Sequence, residues 1–485
     1  MNATRQIGRG AMIYGLQPVL ARSVSILMLP LYTRYLTPGD YGVLQLLGAT
    51  VEIVSILVTS GAITGVTRFY FKRTDALARH RLLSTAWMLH LAMALAGGLM
   101  IFLLAPIIDR YLLKGVGVVT LIQVAGLNLA TSVLAAVPQL RLQLNERAAA
   151  FTAVGFVRLL MQVSLNIYLV AVVKLGVLGV LLGTLITNVV LGGVLAIIML
   201  RETGVHWERE AKEELLRFGR PSRLTAIGSF ILNSGDRYIL AAYWPTAVVG
   251  TYGLAYQFGN GFAGFFVTPL GKAWDPIRYA MGNKPRDEWE PSYLCIVDLA
   301  NLLYFFGFIS VVAFIGPAIQ ILTTPQYFSA AALVPPLVAA FVLQAWTASF
   351  AYQLNMAERP GLYARTTWLS IVVVLVLYFV LIPRFGGAGA AWATVGGFAV
   401  RCVLTYGAAQ RVWPIAYRWH KVRWMSAMAV VVAVVAASIR SLPLWHQVGI
   451  GTLLVAMTAS ITALAVLDSA DRDRIGAALK RSRKH

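Results

Sequence analysis

The sequence predicts an all-α polytopic membrane protein with about 14 transmembrane helices, two pseudo-twofold-related six-helix bundles plus two C-terminal helices. Three observations predict it. Apolar runs recur from Ala11 to Leu467, each near the length of about 20 residues that crosses a hydrocarbon core. Lys and Arg gather in every second connection between those runs. The chain also repeats itself at an offset of about 210 residues.

Composition supports the first observation. The 485 residues are 58% hydrophobic and 13% charged, with mean hydropathy +0.71. Soluble domains carry about 25% charged residues, so this chain cannot cover a water-facing surface. The net charge of +21 could suggest nucleic acid, but the basic residues form short clusters between spans rather than one phosphate-binding patch. No nucleic-acid partner is expected. Cys295 and Cys402 lie far apart in apolar segments and imply neither metal nor redox chemistry.

The spans are expected at 10–33, 42–66, 83–107, 115–138, 151–173, 177–200, 222–243, 247–270, 294–316, 331–355, 363–383, 386–409, 424–439 and 447–467. Runs this long are helices, because barrel strands are much shorter. The first contains Arg22 and lacks a small-residue cleavage signal, so it reads as a membrane helix and not a removed signal peptide. With both termini cytoplasmic, the outer side holds only Arg34, Arg110, Lys114, Lys174, Arg384 and Arg440, while Arg22, Arg158, Arg237 and Arg401 fall within spans. The rest of the 41 Lys and Arg fall inside, which sets the orientation. Trp207 to Phe218 carries charges around an apolar edge and is expected as an amphipathic helix on the cytoplasmic surface. The division is therefore 1–203, an N-terminal six-helix bundle; 204–220, a cytoplasmic amphipathic linker; 221–412, a C-terminal six-helix bundle; 413–470, two extra helices; and 471–485, a basic cytoplasmic tail.

The repeat keeps order and spacing. Gly8-Arg9 matches Gly219-Arg220, and Tyr41-Gly42 matches Tyr252-Gly253. Gln143-Leu144-Asn145 matches Gln353-Leu354-Asn355, and Lys174, Gly176, Gly179 and Thr184 match Arg384, Gly386, Gly389 and Thr394. Six spans separate the copies, so both halves share one orientation and are related by an axis along the membrane normal. Two such bundles can enclose a central site that opens to either side in turn.

Charges within spans are costly and face a cavity or a partner. Tyr14, Pro18, Arg22 and Ser25 line one face of span one. Arg158, Gln162 and Asn166 follow i, i+4, i+8 on span five. Ser222, Thr225, Ser229, Asn233 and Asp236 line span seven with Arg237 beside them, and span eight adds Tyr252, Tyr256 and Asn260. Polar stripes at helical spacing point to a wet lumen. Arg22 lies about 18 Å from the inner end of its helix, Glu52 about 15 Å and Arg401 about 22 Å from the outer ends of theirs, all near mid-membrane. Asp298 lies only about 6 Å in and is expected to snorkel. The candidate cavity residues are Arg22, Arg158, Gln162, Asn166, Asn233, Asp236, Arg237 and Arg401, with Glu52 and Asp236 as candidates for a coupling ion. Structural pairing stands beside each reading: Arg22 could neutralise Glu52, and Asp236 and Arg237 could each bond a different helix. His90, alone on an apolar helix, reads as satisfied packing. No nucleophile constellation, phosphate loop or metal cluster is visible, so neither catalysis nor a cofactor is expected.

Thr33-Arg34-Tyr35-Leu36-Thr37-Pro38-Gly39-Asp40-Tyr41-Gly42 resembles the start of polysaccharide-transport flippases of the multidrug/oligosaccharidyl-lipid/polysaccharide exporter superfamily. Similar too are Leu216 to Pro221, Asp236-Arg237-Tyr238 and Val249-Gly250-Thr251-Tyr252-Gly253, in the same order over Gly8 to Gln410. The resemblance implies a flippase for undecaprenyl-diphosphate-linked oligosaccharides in the bacterial inner membrane, carrying O-antigen or exopolysaccharide repeat units to the periplasmic leaflet. It implies a V-shaped cavity in which Arg22, Arg158, Arg237 and Arg401 attract diphosphate and acidic sugar, with membrane lipids, a polymerase and glycosyltransferases as partners. Alternatives are a lipid II flippase or a multidrug/cation antiporter of the same superfamily, a membrane-embedded polymerase or ligase, and a small-solute facilitator. The Arg excess counts against a cationic drug, and the short outer loops count against a polymerase.

Overall fold

The computed structural model describes residues 24–59, 62–272, 274 and 286–462. Most of expected span one, with Arg22, and the basic tail 471–485 lie outside the described residues. Every regular element among the described residues is helical: α1 Leu29–Tyr35, α2 Pro38–Thr59, α3 Ala62–Lys72, α4 Ala76–Leu112, α5 Val119–Ser132, α6 Ala136–Leu144, α7 Ala148–Asn166, α8 Gly176–Thr203, α9 Arg209–Tyr243 and α10 Thr246–Phe262. Then come α11 Arg286–Leu322, α12 Val334–Met356, α13 Pro360–Val412, α14 Trp419–Ser438 and α15 Leu444–Ile461.

Among the described residues, 10 helices are long and apolar enough to cross a membrane. This is consistent with fourteen spans. Helix α13 is two helices joined across a kink at Gly386, span one is mostly undescribed, and α9 and α10 stand where the polar spans seven and eight were expected. This is a multi-pass membrane protein.

The repeat is visible in the backbone. Gly176 and Gly386 both adopt positive φ, +57° and +55°, a region that residues with a Cβ adopt rarely and at some strain. Three residues on, Gly179 and Gly389 lie against the carbonyls of Leu169 and Leu381, where an added Cβ would stand 3.0 and 2.2 Å from oxygen. Each pair therefore turns a span back on its predecessor. The turns at the opposite end of the spans match as well. After each Gln-Leu-Asn, a Glu takes positive φ, Glu146 at 55° and Glu358 at 56°, and hands the chain to an Arg that starts the next span.

The chain packs as two compact units. The first is Met1–Leu254 with Ile371–Thr394, and the second is Ala255–Ser370 with Val395–His485. In the first, α4 and α5 meet through small residues: a Cβ on Gly98 would lie 2.5 Å from the Gly126 carbonyl, and one on Gly126 2.7 Å from that of Gly98. The linker 204–220 becomes the opening turns of α9. Its apolar edge, Ala211 and Leu215, is fully buried against Val66, Tyr70, Leu82, Leu83 and Met199. Polar pins hold it there. Arg73 bridges Glu208 at 2.9 Å and Glu214 at 3.4 Å, and the hydroxyls of Ser84 and Thr85 accept the backbone N–H groups of His206 and Glu208.

In the second unit, α14 and α15 dock on α11. Near the start of α11 an aromatic cluster builds the core. Tyr293 stacks on Tyr352, Trp289 meets Tyr293 and Trp413 edge-on, and Phe350 packs against Tyr406 and Tyr417. Each such pair contributes about 0.5–1.5 kcal/mol beyond its buried area.

Candidate functional site

The i, i+4, i+8 spacing on span five finds a matching spacing on span six. Arg158 Nη2 donates to Asn188 Oδ1 at 3.0 Å, and Gln162 Nε2 donates to Thr184 Oγ1 at 2.8 Å. Asn166 Nδ2 donates to the Tyr32 hydroxyl at 2.7 Å, tying α1 to the same seam. Its amide fits because Gly183 has no Cβ; one would stand 2.5 Å from the Asn166 oxygen. Asn166 is buried, whereas Arg158 and Gln162 are half-buried. The stripe is thus a polar zipper between α7 and α8 that opens toward its Arg158 end.

Span seven is different. Asp236 on α9 is completely buried. The Tyr252 hydroxyl on α10 donates a short hydrogen bond to its carboxylate, and Thr394 Oγ1 on α13 approaches at 3.5 Å. The Arg237 backbone N–H donates to Asp236 Oδ1 at 2.8 Å, and the Arg237 guanidinium lies 3.7 Å from the same oxygen. Arg237 also donates to the Asn233 carbonyl at 2.9 Å, while the half-buried Asn233 side chain donates to Ser229 O. The cluster joins three helices around a fully buried carboxylate.

A third set of contacts brings α2 against α9 and α10. A Cβ on Gly42 would sit 1.9 Å from Thr246 O, and one on Gly250 1.9 Å from Pro38 O, so only glycine permits this crossing. Deeper in, Tyr238 donates to Thr50 at 3.2 Å and Ser234 donates to Glu52 Oε2 at 3.1 Å. Glu52 is exposed, at mid-depth of its span. A carboxylate there suits a water-filled space and not lipid.

In the second unit, Arg401 is 8% exposed and donates to the Tyr363 hydroxyl at 2.5 Å, its guanidinium lying 5.3 Å from the Tyr363 ring centroid. Arg22 lies outside the described residues. His90 Nδ1 sits 2.9 Å from Ala86 O within a fully buried environment, as packing predicts. Asp298 departs from its expected snorkelling. It is bridged by Arg418 at 3.1 Å and by Lys421 at 3.5 Å, the latter only 3% exposed.

Several partners escaped sequence reasoning: Asn188, Tyr32, Tyr363 and the aromatic cluster. Asn188 carries a signal in hindsight, since it stands four residues after Thr184 and so shares its face. Beside the cluster, Tyr417 lies in the connection before α14, where burial pushes its phenol pKa upward. An apolar cavity of about 290 Å³ lies between α11, α14 and α15, lined by Leu299, Leu302, Phe306, Met425, Met428 and Thr458.

A family model described as "Polysaccharide biosynthesis protein" matches residues 31–335. The chain belongs to this family. A curated relative, the "Probable low-salt glycan biosynthesis flippase Agl15" of Haloferax volcanii, is 22% identical over 240 residues, covering 50% of each chain. The match thus spans about half the length of that relative. Among solved structures, a lipid II flippase MurJ in an inward closed conformation superposes with TM-score 0.76 at 12% identity, covering 94% of this chain and 100% of that one. An inward-facing multidrug resistance MATE family transporter of the MOP superfamily gives 0.63 at 18% identity, covering 83% and 97%. At these identities the likeness shows the fold.

Proposed function

We propose that this polysaccharide biosynthesis protein is a flippase. It moves undecaprenyl-diphosphate-linked oligosaccharide repeat units from the cytoplasmic to the periplasmic leaflet of a bacterial inner membrane, for O-antigen or exopolysaccharide synthesis. Two six-span bundles, with both termini in the cytoplasm, alternate access to a basic cavity while the lipid tail stays in the bilayer. A polymerase acts on the product and glycosyltransferases supply the substrate.

One observation carries this reading. Arg158 and Arg401, one in each unit, hold their guanidinium groups at membrane depth with hydrogen bonds to the neutral Asn188 and Tyr363. A neutral partner orients the cation without cancelling it, so charge remains for an anionic diphosphate. Arg237, beside its Asp236 partner, supports a structural role better than an anion-binding one. For a coupling ion, the exposed Glu52 is favoured over the sealed Asp236.

The test is export. Arg158→Ala and Arg401→Ala should each abolish surface polysaccharide and leave lipid-linked repeat units on the cytoplasmic leaflet, with protein level and membrane insertion unchanged. Export at the wild-type rate in both variants would sink the proposal. Intact polysaccharide with lost drug resistance would favour an antiporter.

A further inference from the structure

Helix α9 runs unbroken for 35 residues, about 52 Å, and its two ends are held by different repeats. Its opening turns are clasped by helices of the first repeat. Ala211 and Leu215 are fully buried against α3, α4 and α8. Phe218 meets Phe69 edge-on at 5.8 Å, with the Arg68 guanidinium 5.1 Å from its ring centroid. Leu215 comes this close because Gly65 has no side chain; a Cβ there would stand 3.0 Å from a Leu215 methyl. Arg73 adds ion pairs to Glu208 and Glu214, and Ser84 and Thr85 take the His206 and Glu208 N–H groups. Apolar burial, ion pairs and backbone hydrogen bonds thus act together over 206–218.

The far end of α9 is fastened within the second repeat. Asp236 takes the Tyr252 hydroxyl of α10 and lies near Thr394 of α13. Just past the helix, the Trp244 indole N–H donates to Ile382 O at 2.8 Å. Tyr238 and Ser234 also touch α2 of the first repeat, through hydroxyl hydrogen bonds of 3.2 and 3.1 Å, a thinner attachment than the clasp. Between the two holds stands Pro221. A proline has no N–H, so the helical bond to the Arg217 carbonyl cannot form, and the helix is easiest to bend there.

We infer that α9 is the hinged strap between the repeats. Its turns up to Phe218 move with the first repeat, its turns around Asp236 move with the second, and it bends between Arg217 and Pro221. The inference rests on the alternating access proposed above and adds where the pivot lies. The linker is then a fixed arm, not a loose tether that detaches as the repeats rock. Bending at this turn breaks no backbone hydrogen bond, because the proline has already removed it. The contacts that rocking must break are the two hydroxyl bonds to α2.

The experiments use the full chain carrying Cys295→Ser and Cys402→Ser. A Cβ on Gly65 would stand 3.8 Å from the Leu215 Cα, within disulfide reach, so Gly65→Cys with Leu215→Cys can lock the clasp. The oxidised protein should export glycan as fast as its reduced form; a block that reductant reverses overturns the inference. Pro221→Ala should slow export about fivefold, the weight of the one backbone hydrogen bond it restores and bending must break. Pro221→Gly restores the same bond but loosens the helix by a similar amount, so it should stay near the wild-type rate. Equal rates for the two variants overturn the hinge. Spin labels read the motion without any cargo. A pair at Glu213 and Arg81, both exposed, should keep one narrow distance, whereas a pair at the exposed Tyr243 and Tyr111 should give a broad one that Pro221→Ala narrows. Equal breadth for the two pairs also overturns the hinge. If the paired cysteine variant fails to fold, the proline variants and the labels decide. If deleting the gene leaves surface polysaccharide intact, the flippase reading fails and the label distances alone decide the hinge.

Discussion

The two repeats turn their corners alike and fill their interiors differently. Gly176 and Gly386 hold nearly the same positive φ, and Gly179 and Gly389 make the same approach to a preceding carbonyl. Yet Thr184 and Thr394, which follow at matching positions, serve opposite environments. Thr184 accepts from Gln162 on a seam that stays half-open, whereas Thr394 sits fully buried beside Asp236. Backbone corners depend on local sterics, which any copy must satisfy. Interior polar groups answer only to their neighbours, so they were free to diverge. At these matching positions the N-terminal copy thus keeps a half-open polar seam, and the C-terminal copy encloses a carboxylate.

The contrast predicts different consequences for the two charges. Asp236→Ala removes the carboxylate beside a buried Arg237, and losing one member of a buried ion pair costs about 3–5 kcal/mol. The variant should accumulate poorly and lose most of its thermal stability in detergent. Arg158→Ala, half-buried and bonded to a neutral amide, should cost about 1–3 kcal/mol while abolishing export. A Arg158→Ala protein as unstable as Asp236→Ala would erase the distinction between an available and an enclosed charge.

A smaller effect tests the shared part. Gly176→Ala and Gly386→Ala each force a Cβ into a backbone region that costs about 1–3 kcal/mol. Both should lower the thermal midpoint, and by similar amounts, because both corners are made the same way. Next to Gly386 stands the Trp244 ring, 3.2 Å from where the Cβ would be, so any excess loss should appear there. A loss at one corner alone would mean that the repeat is not structural at this point.

What was legible in the sequence follows the same divide. The glycine corners and the Gln-Leu-Asn turns could be read, because a turn's chemistry is written in consecutive residues. The stripe Arg158, Gln162 and Asn166 could be read as a face, because helical periodicity fixes it. Its partners could not: Tyr32 and Asn188 come from other helices, and only packing brings them to the seam. The enclosure of Asp236 by Tyr252 and Thr394 was hidden for the same reason. Amphipathicity revealed that the linker has an apolar edge but not that Val66 and Leu82 would cover it.

The finest test exchanges one hydroxyl in each repeat. Thr184→Val removes the acceptor of Gln162, and Thr394→Val removes a long, weak contact to Asp236. Both hydroxyls also donate within their own helices, to Val180 O at 3.0 Å and Ala390 O at 2.9 Å, so the local loss cancels between them. Each substitution should cost about 1 kcal/mol. Their effects on export should differ. Asp236 retains Tyr252 and Arg237 as partners, so Thr394→Val should leave transport near the wild-type rate. Gln162 loses its partner on the half-open seam, next to Arg158, and is free to reorient toward that cation. Thr184→Val should therefore slow export measurably in a pulse-labelled glycan assay, with thermal stability matched to that of Thr394→Val. Equal export by the two variants would place both hydroxyls outside the transport path.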